Sequence, residues 1–368
     1  MARITRTQAY LALNRVRSIG PIRARKLVAA FGSAEAVLDQ SLDALASVEG
    51  IPRAAAQNII DWQKNWSLEE ELHRARDLGV AIIDCEDERF PQQLKQIYDP
   101  PLVLYYKGNL DALAQPSLAV VGSRHTTSYG FEIARKLSYQ AAYAGLMIVS
   151  GFARGIDTAA HQGALAARGA TVAVLGSSID LLYPEENQPL AEKMIESGGA
   201  ILSEFPFGTP PGKYTFPLRN RIVSGLSEGV LVIEAGEKSG ALITARLAGE
   251  QGRQVFAVPG RIDNPHSKGC HQLIKDGAHL VETVEDIFSE LERLFPKQQI
   301  QPAGRKLPET ITQEEKTILD ALADEETHID SIIEKSGLQP SEVSSTLLRL
   351  QLEKLVRQLP GNYFVRTI

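Results

Sequence analysis

Only two cysteines occur in the 368 residues, Cys85 and Cys270, far apart and without CxxC spacing, so the sequence predicts reduced thiols and no disulfide framework. No apolar run approaches membrane-spanning length, and the opening MARITRTQAY is charged and lacks the apolar core of a secretion signal. A cytoplasmic protein without membrane contact is expected. Two nucleotide fingerprints are also missing. GxGxxG does not follow the first apolar run of the central region, and Gly-Glu-Lys-Ser at 236–239 lacks the Gly-Lys pair of a Walker loop, so neither NAD nor ATP is supported. His266, Cys270 and His271 fit no standard metal spacing, so no metal and no cofactor are expected. A basic excess is absent too. The net charge of -6 argues on its own against a polyanionic partner, so such a partner has to be read from the placement of charge rather than its sum.

What is present is an ordinary globular composition, 43% apolar, enough for two or three domains with sizeable cores. Residues 1–80 contain an internal repeat. Arg17 to Leu27 reads RSIGPIRARKL and Ser47 to Ile59 reads SVEGIPRAAAQNI, each a helix end, a turn at Gly20 or Gly50, and a new amphipathic helix. Tandem helix-hairpin-helix units have this pattern, and their hairpin amides can hold a phosphate. Seven basic residues, Arg3, Arg6, Arg15, Arg17, Arg23, Arg25 and Lys26, precede the first acidic one, Glu35. A small helical packing module whose glycines only make turns accounts for the same pattern.

Residues 80–115 are rich in proline and aromatics and read as a connector with one or two strands. From 118 to 281 short apolar runs, most ending in glycine, alternate with helical segments: LAVVG, LMIVSG, TVAVLG, AILSE, GVLVIEAG and QVFAVPG. Such runs predict a parallel sheet covered on both faces, an open doubly wound α/β domain over 81–295 with its ligand at the carboxyl ends of the strands. A Pro- and Gln-rich linker is expected at 296–312. Three helices and a hairpin turning at Pro-Gly-Asn then predict a winged helix over 313–368. Its third helix offers only Arg349 and Lys354 against Glu342 and Glu353, which favours a protein-contact or packing role over duplex DNA.

Three strand ends collect unusual residues. Gly122 and Ser123 allow close backbone approach, and Arg124 can fork onto a phosphate. After the second run comes SGFARGIDTAAH, where Ser150, Gly151, Ala153, Arg154 and Gly155 lead into a helix whose dipole favours anions. After the fifth, Ser239, Gly240 and Thr244 open another helix. Together these predict a nest for anionic groups. Asp157 and His161, at i and i+4, superficially suggest a hydrolase dyad, but no GxSxG elbow accompanies them, and a bracing hydrogen bond is the expected role. Between Glu204 and Glu228 there is no acidic residue, yet Lys213, Arg219 and Arg221 alternate with Phe205, Phe207, Tyr214 and Phe216. Cations that follow a backbone and rings that stack bases are the chemistry of single-stranded nucleic-acid binding.

At these residues the sequence resembles the DNA-processing protein A (DprA/Smf) family over essentially its whole length. The motifs are GSR at 122–124, SGFARGIDTAAH at 150–161, FPLRNRI at 216–222, SGALITA at 239–245 and PGR at 259–261. The resemblance implies a helical SAM-like N-terminal domain, an extended Rossmann-like domain that binds single-stranded DNA, and a winged-helix-like C-terminal domain. It further implies a homodimer that takes incoming DNA from single-strand-binding protein and loads RecA in natural transformation, without catalytic turnover. By the same resemblance Arg124 holds a phosphate, Lys213 contacts the backbone, Phe216 lies against bases, and Asn220 and Arg221 complete the pocket floor. The family's dimer surface corresponds to GCHQLIKDGAHLVE, with His271, Leu273, Ile274 and Leu280; burial of these side chains in their own domain is the competing reading. A different class also remains open. Nucleotide-cleaving enzymes share this superfamily, and EAGEKSGALIT at 234–244 would be their phosphate-ribose loop.

Overall fold

The computed structural model describes residues 4–294, 312–322, 327–352, 355–359 and 363–366. The chain divides into two compact units, with the division at residue 300.

In the first unit the described residues form a nine-stranded sheet ordered β1-β2-β6-β5-β4-β3-β7-β8-β9. Its strands are β1 (Ala81–Asp84), β2 (Val103–Gly108), β3 (Ser117–Gly122), β4 (Met147–Ser150), β5 (Thr171–Val174), β6 (Ala200–Ser203), β7 (Gly229–Ile233), β8 (Gln254–Ala257) and β9 (His279–Leu280). All residues of β4 to β7 are buried, which is why these segments read as unbroken apolar runs rather than alternating ones. From β3 the chain winds one way through β4, β5 and β6, then crosses to the other side of β3 for β7, β8 and β9. The reversal opens a crevice at the carboxyl ends of β3, β4 and β7. The connector contributes β1 and β2, which pair antiparallel with each other, and β2 pairs antiparallel with β6, so the sheet is parallel except at this edge.

The N-terminal helices Arg6–Arg15, Pro21–Phe31, Arg53–Ile60 and Leu68–Asp77 share one core with the sheet, and Arg6–Arg15 and Leu68–Asp77 pack directly on β1. Leu11, Leu13, Leu27, Leu45 and Ile59 cluster with Tyr105, Phe152, Ile201 and Phe207. The pattern boundary at residue 80 is therefore not a boundary of packing. Glu71, itself buried, accepts hydrogen bonds from the Tyr105 hydroxyl (2.8 Å), the Phe207 amide (3.0 Å) and Trp66 Nε1 (3.2 Å). The repeat appears as two hairpins tied together by Arg23, which donates to the carbonyls of Ser18 (2.7 Å) and Gly50 (3.2 Å). Lys26 reaches the Glu49 carbonyl, Arg25 the Tyr98 carbonyl, and Arg6 pairs with Asp84. Much of the early basic run thus holds the fold together.

The second unit has helices Gln313–Ala321, Ile329–Ser336 and Pro340–Leu352 with strands β10 (Thr327–His328), β11 (Val356–Leu359) and β12 (Tyr363–Arg366) in the order β10-β12-β11. Ile318, Leu322, Ile332, Val343, Leu347 and Phe364 form its core. This is the three-helix and hairpin pattern of a winged helix, with β10 as an added third strand. The expected linker at 296–312, up to residue 311, lies outside the described residues, as do Glu353, Lys354 and the Pro-Gly-Asn turn. No helix among the described residues is long and apolar enough to cross a membrane.

Candidate functional site

The crevice is a cleft of about 550 Å³ whose walls include Gly122, Ser123, Arg124, Gly151, Ala153, Asp157, Phe216, Asn220, Ser239, Gly240 and Thr244. Residues from all three expected strand ends therefore meet. The first loop is anchored from across the sheet. Ser123 N–H donates to the Glu234 carbonyl at 2.7 Å, and the buried Glu234 carboxylate accepts from Thr126 Oγ1 (2.7 Å), Thr127 N (2.8 Å) and Thr127 Oγ1 (2.5 Å). Glu234 adopts φ 51°, a strained conformation for a non-glycine residue, held by these four bonds. Its carboxylate faces the 126–127 loop.

Two glycines are required by space. A Cβ on Gly151 would lie 2.6 Å from Arg219 Nη2 and 2.7 Å from Asp157 Oδ2, and Gly155 combines φ 77° with a Cβ position 2.3 Å from the Ser123 carbonyl oxygen. The helix Ile156–Ala166 that follows already has partners for part of its first turn. Ala153 N–H donates to Asp157 Oδ2 (3.2 Å) and Ile156 N–H to the Ser123 carbonyl (3.2 Å). Fewer amides are open to an anion here than the motif suggests.

Arg124 stands at the mouth. It is exposed, has no ion-pair partner among the described residues, and its guanidinium lies 4.4 Å above the centroid of the half-buried Phe216 ring. The ring packs over Gly176, where a Cβ would come within 2.4 Å of Phe216 Cδ1. Phe216 thus carries the arginine on one face. Lys238 also lines the cleft, and Lys213 and Tyr214 are exposed on the loop before helix Thr215–Gly225.

Several residues singled out from sequence are placed elsewhere. Arg221 is not part of the floor: it is buried, its Nη1 and Nη2 donate to Glu204 at 3.1 and 2.6 Å, and its Nε donates to Asp99 at 3.0 Å. Burial works against its charge, yet the two carboxylates outweigh this and hold its pKa above the ordinary value. The floor belongs instead to Arg219, also buried, whose Nη1 donates to the carbonyls of Gly151 and Val174. Burial lowers the Arg219 pKa to about 10, against the pull of Asp157. Burial likewise pushes the Asp157 carboxyl up, opposed by Arg219. Asn220 accepts from Arg219 Nε (3.1 Å) and reaches the Gly240 carbonyl (3.5 Å), so it ties the middle of its helix to the start of the helix Gly240–Glu250.

Ser150 is buried and donates to the Val120 carbonyl (2.6 Å), a tie between β4 and β3 rather than a cleft contact. His161 is also away from the cleft. Thr171 donates its hydroxyl to the Ile148 carbonyl (2.8 Å), so His161 Nδ1–H donates to Thr171 Oγ1 (2.7 Å) and Nε2 has no partner among the described residues. Burial, with Arg219 adding to it, lowers the His161 pKa to about 3. Asp157 braces the cleft and His161 braces the strands; they form no dyad. Arg154 lies outside the cleft lining and pairs with Glu186. On the helix Lys268–Lys275, Leu273 and Ile274 are half-buried against the core and His271 Nε2 lies 2.9 Å from the Gly260 carbonyl oxygen, while Leu280 on β9 is exposed. Among the described residues no group of three or more His, Cys, Asp or Glu could hold a metal ion.

Sequence reasoning missed Glu234 and Lys238 as parts of the site, and it read Arg219 as a cation of an open strip rather than as the buried floor. A local signal for the Arg219 position was its place three residues after Phe216 on one helical face.

Comparison with known proteins gives one family for the central region, DNA recombination-mediator protein A, over residues 81–292. Residues 301–362 match the DprA winged helix domain and residues 10–61 the SAM-like helix-hairpin-helix tandem. Protein Smf of Escherichia coli K12 is 40% identical over 325 residues, covering 85% of this chain and 84% of that protein. The crystal structure of DNA processing protein A from Streptococcus pneumoniae is similar with TM-score 0.68 and 36% identity, covering 77% of this chain and 98% of that one. A structure of DNA processing protein A from Helicobacter pylori, solved for insight into that protein's single-stranded DNA binding mode, has TM-score 0.52 and 30% identity over 58% of this chain and 96% of that one.

Proposed function

The chain belongs to the DNA recombination-mediator protein A (DprA/Smf) family, and on that premise we propose that its cleft holds the backbone of single-stranded DNA. One observation carries the reading: an exposed arginine without a carboxylate partner among the described residues, fixed on an aromatic ring at the topological switch point of the sheet. Arg124 takes a phosphate through charge-assisted hydrogen bonds, Lys213 and Lys238 neutralise neighbouring phosphates, and Phe216 orients Arg124 while offering its free edge to a base. Arg219 and Asp157 form a buried support that keeps Gly151 close to the strand. The protein acts by binding, without turnover. As a homodimer joined through the 270–280 region, it takes single strands from single-strand-binding protein and presents them to RecA.

The test is fluorescence anisotropy with labelled oligo-dT and a duplex of equal length across a salt series. Three cations facing phosphates give a log-log slope of roughly -2, at about 0.7 per phosphate. Single strands are expected to bind more tightly than duplex, whose bases are already stacked. Equal affinity for duplex, or chromatographic loss of ATP, AMP or the oligonucleotide in the same mixtures, would overturn the reading in favour of a nucleotide-cleaving enzyme.

A further inference from the structure

The aromatic surface does not end at Phe216. The Tyr183 ring centroid lies 6.1 Å from that of Phe216 with the planes 47° apart, and Tyr183 is 38% exposed. The Arg154 guanidinium carbon stands 5.6 Å from the Tyr183 centroid, and Arg154 Nη1 donates to the Tyr183 hydroxyl at 3.3 Å. Arg124, Phe216, Tyr183 and Arg154 therefore form one continuous series, two adjacent rings with a cation at each end, in steps of 4.4, 6.1 and 5.6 Å. Its last two members lie beyond the cleft lining, so the series leads outward.

Arg154 is held by Glu186, which accepts from Nη2 at 2.8 Å and from Nε. Both side chains are about half exposed, 49% and 54%, so the pair is screened by water and weak. A backbone phosphate offers the same two-oxygen geometry to the guanidinium fork and can replace the carboxylate. The pair is not needed to fix its loop. Asn187, buried next to Glu186, already donates to the Phe152 carbonyl (3.1 Å) and to Thr158 Oγ1 (2.9 Å).

We infer that the bound strand continues out of the cleft onto a second nucleotide subsite, where Tyr183 stacks a base and Arg154 exchanges Glu186 for a backbone phosphate. This rests on the reading of the cleft as a single-strand site. Glu186 then sets the resting state of the subsite: closed on Arg154 when no strand is present, released when one arrives. Because the two rings are tilted, the strand bends between its bases there, which a flexible oligo-dT follows and a duplex does not.

The experiment uses the full chain and labelled oligo-dT, with parent, Tyr183→Ala, Tyr183→Trp, Arg154→Ala, Glu186→Gln and the Glu186→Gln/Arg154→Ala pair. Tyr183→Ala is expected to weaken binding about five-fold or more, while Tyr183→Trp keeps the affinity and its added indole fluorescence falls when oligo-dT binds. Arg154→Ala is expected to flatten the salt slope by about 0.7, one phosphate fewer, and Glu186→Gln to bind more tightly, a gain that vanishes when Arg154 is also removed. An unchanged affinity in Tyr183→Ala, an unquenched indole in Tyr183→Trp, or a Glu186→Gln gain that persists without Arg154 would overturn the subsite while leaving the cleft reading intact. Failure of the parent to bind oligo-dT would refute the cleft reading, and the subsite with it.

Discussion

Arg124 and Phe216 act as one unit, with the guanidinium 4.4 Å above the ring centroid. A surface arginine without a partner samples many rotamers, and ordering one on binding costs affinity. The ring restricts that sampling beforehand. A cation on an aromatic face is worth about 0.5–1 kcal/mol when exposed and more when dry, enough to bias the resting position without trapping it.

The two side chains are therefore expected to be coupled in binding. Arg124→Ala and Phe216→Ala each weaken oligo-dT binding by about 1–3 kcal/mol, and the double variant loses less than the sum. Phe216→Trp retains most of the affinity. Anisotropy titrations of the parent, the two alanine variants and their combination form the double-mutant cycle; strict additivity would separate the two residues.

Arg221 is expected to affect stability first. Removing one partner of a buried pair leaves the others unpaired, so Arg221→Ala costs about 3–5 kcal/mol. Chemical denaturation monitored by circular dichroism measures this. Binding by the fraction that remains folded is expected to keep the parental salt slope, since Arg221 neutralises Glu204 and Asp99 rather than phosphate.

Glu234 anchors the loop that carries Arg124 without touching the cleft itself. Glu234→Gln replaces an acceptor of three hydrogen bonds by an amide that cannot accept them all, so stability falls by about 1–3 kcal/mol. Oligo-dT affinity falls with it. Hydrogen exchange of the Ser123 and Thr127 amides is expected to quicken in the variant, and unchanged exchange would free Glu234 of this role.

His161 predicts a direction of pH dependence. Its folded pKa of about 3 lies below the ordinary histidine value of about 6.5, so the unfolded chain binds the extra proton first. Its contribution is fully present above about pH 6.5 and is lost as pH falls toward 3, on the order of 5 kcal/mol over the whole window. Asp157, raised by burial, acts in the opposite sense. The difference between parent and His161→Asn melting profiles from pH 7 to 4 isolates the histidine; parallel profiles would remove it.

The parallel strands were legible because each is buried on both faces and writes its burial as a run of apolar residues. The cleft was legible through Gly122, Gly151 and Ser239, which stand where those runs end. Charge was not. The absence of acids between Glu204 and Glu228 suggests an open basic strip, yet Arg221 is neutralised by Asp99 and Glu204, and Arg219 sits beside Asp157, 62 positions earlier in the chain. Local spacing cannot register such pairing. Glu234 escaped notice for the same reason, since its partners lie at 126 and 127. The antiparallel pairing of β1 and β2 depends on the edge they reach, which their short patterns do not specify.

The Glu71 carboxylate, gripped by Tyr105, Phe207 and Trp66, has a consequence for how the protein can be shortened or spliced. A cut ahead of β1 would leave Tyr105, Phe152, Ile201 and Phe207 facing water and strip the buried Phe207 amide of its acceptor. The helical segment is thus a lid welded to one face of the sheet rather than a detachable cassette. A relative that lacks it must cover that face with something else, and a partner that grips these helices grips the sheet through them.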